Sequence, residues 1–277
     1  MKKKIVSSAI FFIIIGSIGA YAKTYDLVLV HGLTNKHQWS NDFLNRCLEK
    51  FGSGNVYAIY TNSSTRVWER WINGRKVICC GENDYSAGDD SVNTQAALMD
   101  TKIALLKGSY GLSSKFNIIA HSMGGLVARR YSYYRPYTVA GIVTLGTPHH
   151  GSPLAYEGDF LSFFIGAGPA VDNLKPSWVD GTFNKSYPVS GAPMADSGRV
   201  YAIGGDGDGW DCWGWGGELQ IGWDLLFTVH WTDSDGAVPR ASDSITGATF
   251  LTRFWDYDHM DLVTHADVAT VACDNLR

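Results

Sequence analysis

The stretch Phe116-Asn117-Ile118-Ile119-Ala120-His121-Ser122-Met123-Gly124-Gly125 is the part of this chain best suited to chemistry. A β-branched apolar run stops at a serine with small residues two positions before it (Ala120) and two positions after it (Gly124). That spacing suits a sharp strand-to-helix turn, on which the hydroxyl stands clear of the backbone and the next amide faces the same space. A helix N-terminus behind the serine favours negative charge developing in front of it. Small-x-Ser-x-Gly also occurs by chance, so the context decides. Here a buried strand precedes the motif and a helical pattern follows from Met123 to Tyr134, with Pro136 beyond its end. Ser122 is therefore a candidate nucleophile.

A serine nucleophile needs a base, and the base needs an orienting carboxylate. In a strand-turn-helix setting of this kind the chain order is serine, acid, histidine. His149, His150, His230, His259 and His265 lie downstream of Ser122. His259 is the best placed, in a loop between the last strand and the last helix. His265 reads as a helix-face residue, His149 and His150 as pocket lining, and His230 precedes the acid too closely. For the acid we choose Asp235 in Ser234-Asp235-Gly236-Ala237-Val238-Pro239, where Asp-Gly makes a tight turn; Asp233 is the fallback. Two amides are needed to hold a developing oxyanion. Met123 N–H, directly after the serine, is one. Leu33 N–H, in the His31-Gly32-Leu33 loop after an early strand, is the other.

These residues must be carried by strands alternating with helices. Asp26–Val30, Val56–Tyr60, Phe116–Ala120, Val139–Leu145, Val200–Ile203 and Thr249–Trp255 read as strands. Asn41–Phe51, Val92–Lys107 and Asp261–Cys273 read as helices. The segment from Arg66 to Asp90 has no clear pattern and is read as an excursion carrying Trp68, Trp71 and two cysteines. The alternation predicts an α/β fold, a mostly parallel central sheet with helices on both faces. Reacting groups in such sheets sit at the carboxyl ends of the strands, which is where Leu33, Ser122, Asp235 and His259 fall. Residues 151–199 form an insertion, expected to be a cap or lid.

Hydrophobic residues make up 45% of the 277, enough for a sizeable core, and the net charge of −4 gives no support for nucleic-acid binding. Lys2-Lys3-Lys4, the apolar Ile5–Ala20 and Ala20-Tyr21-Ala22 have the pattern of a bacterial Sec-type signal peptide, so residues 1–22 are expected to be removed and residues 23–277 to be secreted or periplasmic. An oxidising compartment permits disulfides, but five cysteines (Cys47, Cys79, Cys80, Cys212, Cys273) leave at least one thiol over, and the vicinal Cys79-Cys80 is poorly suited to bonding to itself. No cysteine spacing suggests a metal cluster, and no cofactor is expected.

Five segments occur in an order that resembles the α/β-hydrolase superfamily, and within it the secreted bacterial lipases and esterases: Val28–Thr34, Ile118–Arg129, Val143–Ala155, Ser234–Pro239 and Asp258–Val263. The resemblance implies that Ser122, Asp235 and His259 form a triad, with Leu33 and Met123 as oxyanion amides. Ala120 stands where the family's elbow more often has glycine. Many such lipases bind a structural calcium near the catalytic histidine. Asp261 matches one such ligand, but His265 stands where an amide side chain is expected, and the acidic loop Asp206–Asp211 lacks the final bidentate Glu of an EF-hand.

The expected chemistry is hydrolysis of carboxylic esters of acyl lipids through an acyl-enzyme, with transient contact at a lipid interface. Phospholipase, thioesterase or acyltransferase chemistry would use the same groups. A non-catalytic binding protein of this fold is the reading from another class. Phe160–Val171, apolar and hinged at Gly166 and Gly168, suits either a buried helix or a lid over the acyl site. The run Trp210–Trp215 suits lipid or sugar contact, or packing.

Overall fold

A computed structural model describes residues 23–34, 38–157, 167–207 and 218–277. Its centre is an eight-stranded sheet: β1 (Asp26–Val30), β2 (Val56–Ile59), β3 (Val67–Ile72), β4 (Arg75–Cys80), β5 (Phe116–His121), β6 (Val139–Leu145), β7 (Val200–Asp206) and β8 (Thr249–Trp255). The spatial order is β3-β4-β2-β1-β5-β6-β7-β8, and every pairing is parallel except the β3–β4 hairpin at one edge. β5 and β6 are buried along their whole length, as an apolar strand covered on both faces must be.

Alternation along the strands divides the core in two. Val28 and Val30 of β1 face one apolar cluster, and Leu27 and Leu29 face the other. The first cluster is closed by α2 (Val92–Ser109) and α3 (Gly124–Tyr134), through Met99, Ile103, Leu126 and Val127. The second is closed by α1 (Asn41–Phe51) and the C-terminal helix (Ala266–Asp274), through Phe43, Leu44, Val268 and Ala272. Each of the Met, Ile, Leu, Val and Phe side chains among these contributes about 1.5–3 kcal/mol when removed from water. Ser40 caps α1 by accepting from Phe43 N–H at 3.0 Å, and Ser91 caps α2 by accepting from Thr94 N–H at 3.2 Å. Among the described residues no helix is long and apolar enough to cross a membrane.

The reading of the sequence is corrected at four places. The excursion at Arg66–Asp90 contains the β3–β4 hairpin, turned at Asn73-Gly74. A helix missed entirely, Glu218–Thr228, lies between β7 and β8. The last helix is broken: Asp261–Val263 is a single 3₁₀ turn, and the helix proper begins at Ala266. Thr264 and His265 N–H both bond Asp261 O, and His265 occupies the N-cap position rather than a helix face. Finally, Val200–Ile203 extends to Asp206.

Within the insertion, Gly168–Asp172 is a short helix with Ala170 and Val171 buried, whereas Phe160–Gly166 and Trp210–Trp215 lie outside the described residues. The signal-peptide residues 1–22 lie outside them as well. Cys79 and Cys80 are consecutive on β4 and therefore belong to opposite core clusters. Cys47 of α1 and Cys273 of the C-terminal helix are buried with their sulfurs 3.8 Å apart.

Candidate active site

The chain runs from β1 outward to β2 on one side and later from β5 outward to β6 on the other, so the strand order reverses between β1 and β5. The crevice at the carboxyl ends of those two strands is where a parallel sheet of this kind leaves room for a ligand. Gly32 and Leu33 follow β1 there, and Ser122 follows β5.

Ser122 has φ +53°, in the left-handed region that a residue with a side chain seldom occupies. Such strain costs roughly 1–3 kcal/mol and persists only where the surroundings hold it. Ser122 N–H donates to Leu145 O at 2.8 Å, and Ser122 O accepts from Thr147 Oγ1 at 2.8 Å. The serine is 7% exposed, while its neighbour Met123 is fully buried at the start of α3. Gly32 packs against it. A Cβ on Gly32 would lie 2.7 Å from Ser122 Cβ and 3.2 Å from Ser122 Oγ, so close approach, not a left-handed turn, demands glycine here.

The peptide joining Gly32 to Leu33 is held in one orientation. Thr61 N–H donates to His31 Nε2 at 2.9 Å, so the His31 ring carries its hydrogen on Nδ1 and donates it to Gly32 O at 2.7 Å. Burial holds His31 down to about 4, hence neutral near pH 7. In a trans peptide the N–H points opposite to the C=O. Fixing Gly32 O therefore fixes the direction of Leu33 N–H.

Asp235 and His259 come together through two turns. Asp235 sits between Glu218–Thr228 and β8, in a loop pinched by the Ser234–Pro239 bridge, and His259 sits just after β8. His259 Nδ1 donates to Asp235 Oδ2 at 2.7 Å, and both side chains are essentially buried. Asp235 Oδ1 accepts from Ala237 N–H at 3.0 Å and Val238 N–H at 2.7 Å. The backbones are joined too: His259 N–H donates to Asp235 O at 2.8 Å. With its hydrogen on Nδ1, a neutral His259 ring presents a lone pair on Nε2.

The other residues weighed in the sequence go elsewhere. Asp233 is half exposed and faces Arg240 at 3.3 Å. His150 pairs with Asp180 at 2.8 Å, His230 with Glu157 at 3.2 Å, and His265 with Asp261 at 3.4 Å. His149 is fully buried and bonds Thr144 Oγ1 at 3.0 Å. Asp261, weighed as a calcium ligand, accepts from Asp258 N–H at 3.0 Å. Among the described residues no three His, Cys, Asp or Glu side chains gather as a metal site, and Asp208 and Asp211 lie outside those residues.

Two side chains that the sequence reading left without a role stand beside the site. His121, the residue before Ser122, has its ring centroid 4.4 Å from that of His259. Gln38, only 3% exposed, bonds both His121 and Gly32. No local pattern marks Gln38; the contact with His121 spans 83 positions of sequence.

Sheet order, elbow and buried Asp-His pair together give the chain the fold of the α/β-hydrolase class. Residues 82–179 match the PGAP1-like alpha/beta domain family. A triacylglycerol lipase of Pseudarthrobacter phenanthrenivorans is 28% identical over 152 residues, which is 54% of this chain and 40% of that protein. A GPI inositol-deacylase of Kluyveromyces lactis is 24% identical over 193 residues, 68% of this chain and 16% of that protein. Among solved structures, the mature lipase of Bacillus licheniformis shares the fold with a TM-score of 0.65, at 22% identity over 90% of each chain. The chain spans two fifths or less of the length of the triacylglycerol lipases it matches.

Proposed function

We propose that this protein is a carboxylic ester hydrolase of the lipase and esterase kind, acting on acyl lipids through Ser122, His259 and Asp235. The observation that carries this reading is the buried His259–Asp235 pair, linked at 2.7 Å, at the same strand ends as a serine held at φ +53°. The triacylglycerol lipases among its relatives support the ester class.

In the proposed reaction His259 Nε2 takes the proton of Ser122 Oγ as the oxygen attacks the ester carbonyl. Asp235 holds the tautomer that makes this possible and stabilises the imidazolium that forms. Leu33 and Met123 N–H hold the tetrahedral oxyanion. The imidazolium returns its proton to the departing alcohol, and water then releases the acyl group from Ser122 by the same steps in reverse. We place the reaction outside the cytoplasm, on the signal-peptide pattern of residues 1–22; N-terminal sequencing of the exported protein tests that. No cofactor enters this mechanism.

The GPI inositol-deacylases among the relatives favour a second reading, with the acyl group carried on a phospholipid. The test is hydrolysis of p-nitrophenyl esters from short to long acyl chains alongside a phospholipid panel, by the exported protein and by Ser122→Ala. Ester hydrolysis lowered by roughly 10⁴-fold or more in Ser122→Ala supports the nucleophile, and the preferred chain and head group select the substrate. Undiminished activity in Ser122→Ala, or none on any ester by folded protein, overturns the reading.

A further inference from the structure

We propose that Gln38 is a positioning residue that couples the oxyanion loop after β1 to the base loop after β8, using the His121 ring as the link. The proposal rests on the reading of Ser122, His259 and Asp235 as the triad.

The argument is one of donors and acceptors, each of which has a single solution. His121 Nε2 lies 2.8 Å from His259 O. A carbonyl only accepts, so His121 Nε2 carries the hydrogen. His121 Nδ1 lies 2.6 Å from Gln38 Nε2. In a neutral ring that nitrogen is the acceptor, so the Gln38 amide NH₂ donates to it. The other end of the amide is then the acceptor, and Gly32 N–H donates to Gln38 Oε1 at 2.9 Å. Turning the Gln38 amide over would set oxygen against the His121 lone pair and NH₂ against Gly32 N–H, two repulsive contacts in a buried place. Burial, with His259 alongside, holds the His121 ring well below the usual histidine range, which keeps it neutral as this pattern requires.

The chain of bonds thus runs from Gly32 N–H through Gln38 and His121 to His259 O. Gly32 is held on its other side by His31, so both ends of this residue are fixed before Leu33 N–H is presented. His259 is held at three points: N–H by Asp235 O, C=O by His121, and ring by Asp235 Oδ2. The proton acceptor and one oxyanion donor come from opposite halves of the sequence. The Gln38 amide and the His121 ring together tie their backbones across the elbow that carries Ser122.

Two measurements test this. The first is ¹⁵N NMR of the histidine rings in unaltered protein, with His121 assigned by His121→Asn. The proposal requires the neutral Nε2–H form at pH 7. A His121 ring carrying its hydrogen on Nδ1 in the unaltered protein overturns the proposal. The second is steady-state ester hydrolysis by Gln38→Met, similar in size but unable to bond at either end. We expect kcat to fall about 10- to 100-fold, the range for small misplacements of reacting groups, with KM changed less than about threefold. Folded Gln38→Met with unchanged kcat overturns the coupling. If that variant does not fold, the ring measurement on unaltered protein still decides. Unaltered protein that hydrolyses no ester fails the triad reading, whereas normal hydrolysis by Gln38→Met fails the coupling alone.

Discussion

At the β3–β4 hairpin, charged side chains meet in water. Lys76 pairs with Glu69 at 2.6 Å and Arg66 with Glu82 at 3.2 Å, and all four side chains are about a third exposed or more. At the far side of the sheet, beside β7 and β8, Arg253 pairs with Asp243 at 2.7 Å and Arg240 with Asp206, and the two carboxylates are 3% and 5% exposed. The glycines divide in the same way. Gly74 turns the hairpin at φ +75°, with no atom within 4 Å of where a Cβ would stand. Gly146, after β6, has φ +52°, and a Cβ there would lie 2.9 Å from Asp235 Oδ2 and 3.0 Å from His259 Nδ1. Similar residue types serve the hairpin as solvated turn and surface. At the strand ends the carboxylates of Asp243, Asp206 and Asp235 have lost their water and are held by particular neighbours, Arg253, Arg240 and His259.

The sharpest way to break this contrast is Gly146→Ala. The methyl group would push apart the Asp235–His259 pair, and we expect kcat on a soluble ester to fall about 100-fold or more. An unchanged kcat would mean that the pair is not held where the strand ends place it. Next in size is Asp243→Ala. Arg253, whose side chain is 20% exposed, would lose its carboxylate, and urea unfolding should report a loss of about 3 kcal/mol. A loss below about 1 kcal/mol would put this pair in the same class as those of the hairpin.

The same carboxyl sharpens the comparison through pH. Burial raises Asp243 to about 6, more than Arg253 can offset. The folded state therefore holds the Asp243 proton more tightly than the unfolded chain, where aspartate titrates near ~3.9. The contribution is fully present below about pH 4 and is lost as pH rises through about 6. The stability of the unaltered protein relative to Asp243→Asn should accordingly fall across that window and level off above it. A rise over the same window would reverse the sign and refute the burial argument.

The hairpin supplies the small effects. Gly74→Ala should cost about 1 kcal/mol from its backbone alone and leave ester hydrolysis unaltered. Lys76→Ala should change stability by no more than about 0.5 kcal/mol. Either substitution lowering kcat would show that the hairpin edge reaches the site.

Much of the frame was legible. Asp26–Val30, Asn41–Phe51, Val139–Leu145 and Thr249–Trp255 match the expected elements residue for residue. The continuous apolar runs of Asp26–Val30 and Val139–Leu145, buried on both faces, and a capped amphipathic helix declare themselves locally. The hairpin was missed although Asn73-Gly74 is a strong turn signal. Its edge strand β3 mixes charged, aromatic and apolar residues without a period of two and is only partly covered. Glu218–Thr228 was missed because apolar residues fall on several of its faces, so no single stripe marks a helical period.

The site divides along the same line. The sequence by itself determined the elbow, because small residues flanking a serine between a buried strand and a helix answer to local sterics. It also narrowed the partners to a few histidines and aspartates by their order along the chain. Only the tertiary structure decided that His259 meets Asp235 while His265 faces Asp261 and Asp233 faces Arg240. It alone brought Gln38 between Gly32 and His121. Hydrogen bonds between loops more than 80 residues apart leave no period or spacing in the chain, since the packed sheet that sets those distances forms only when the whole molecule folds.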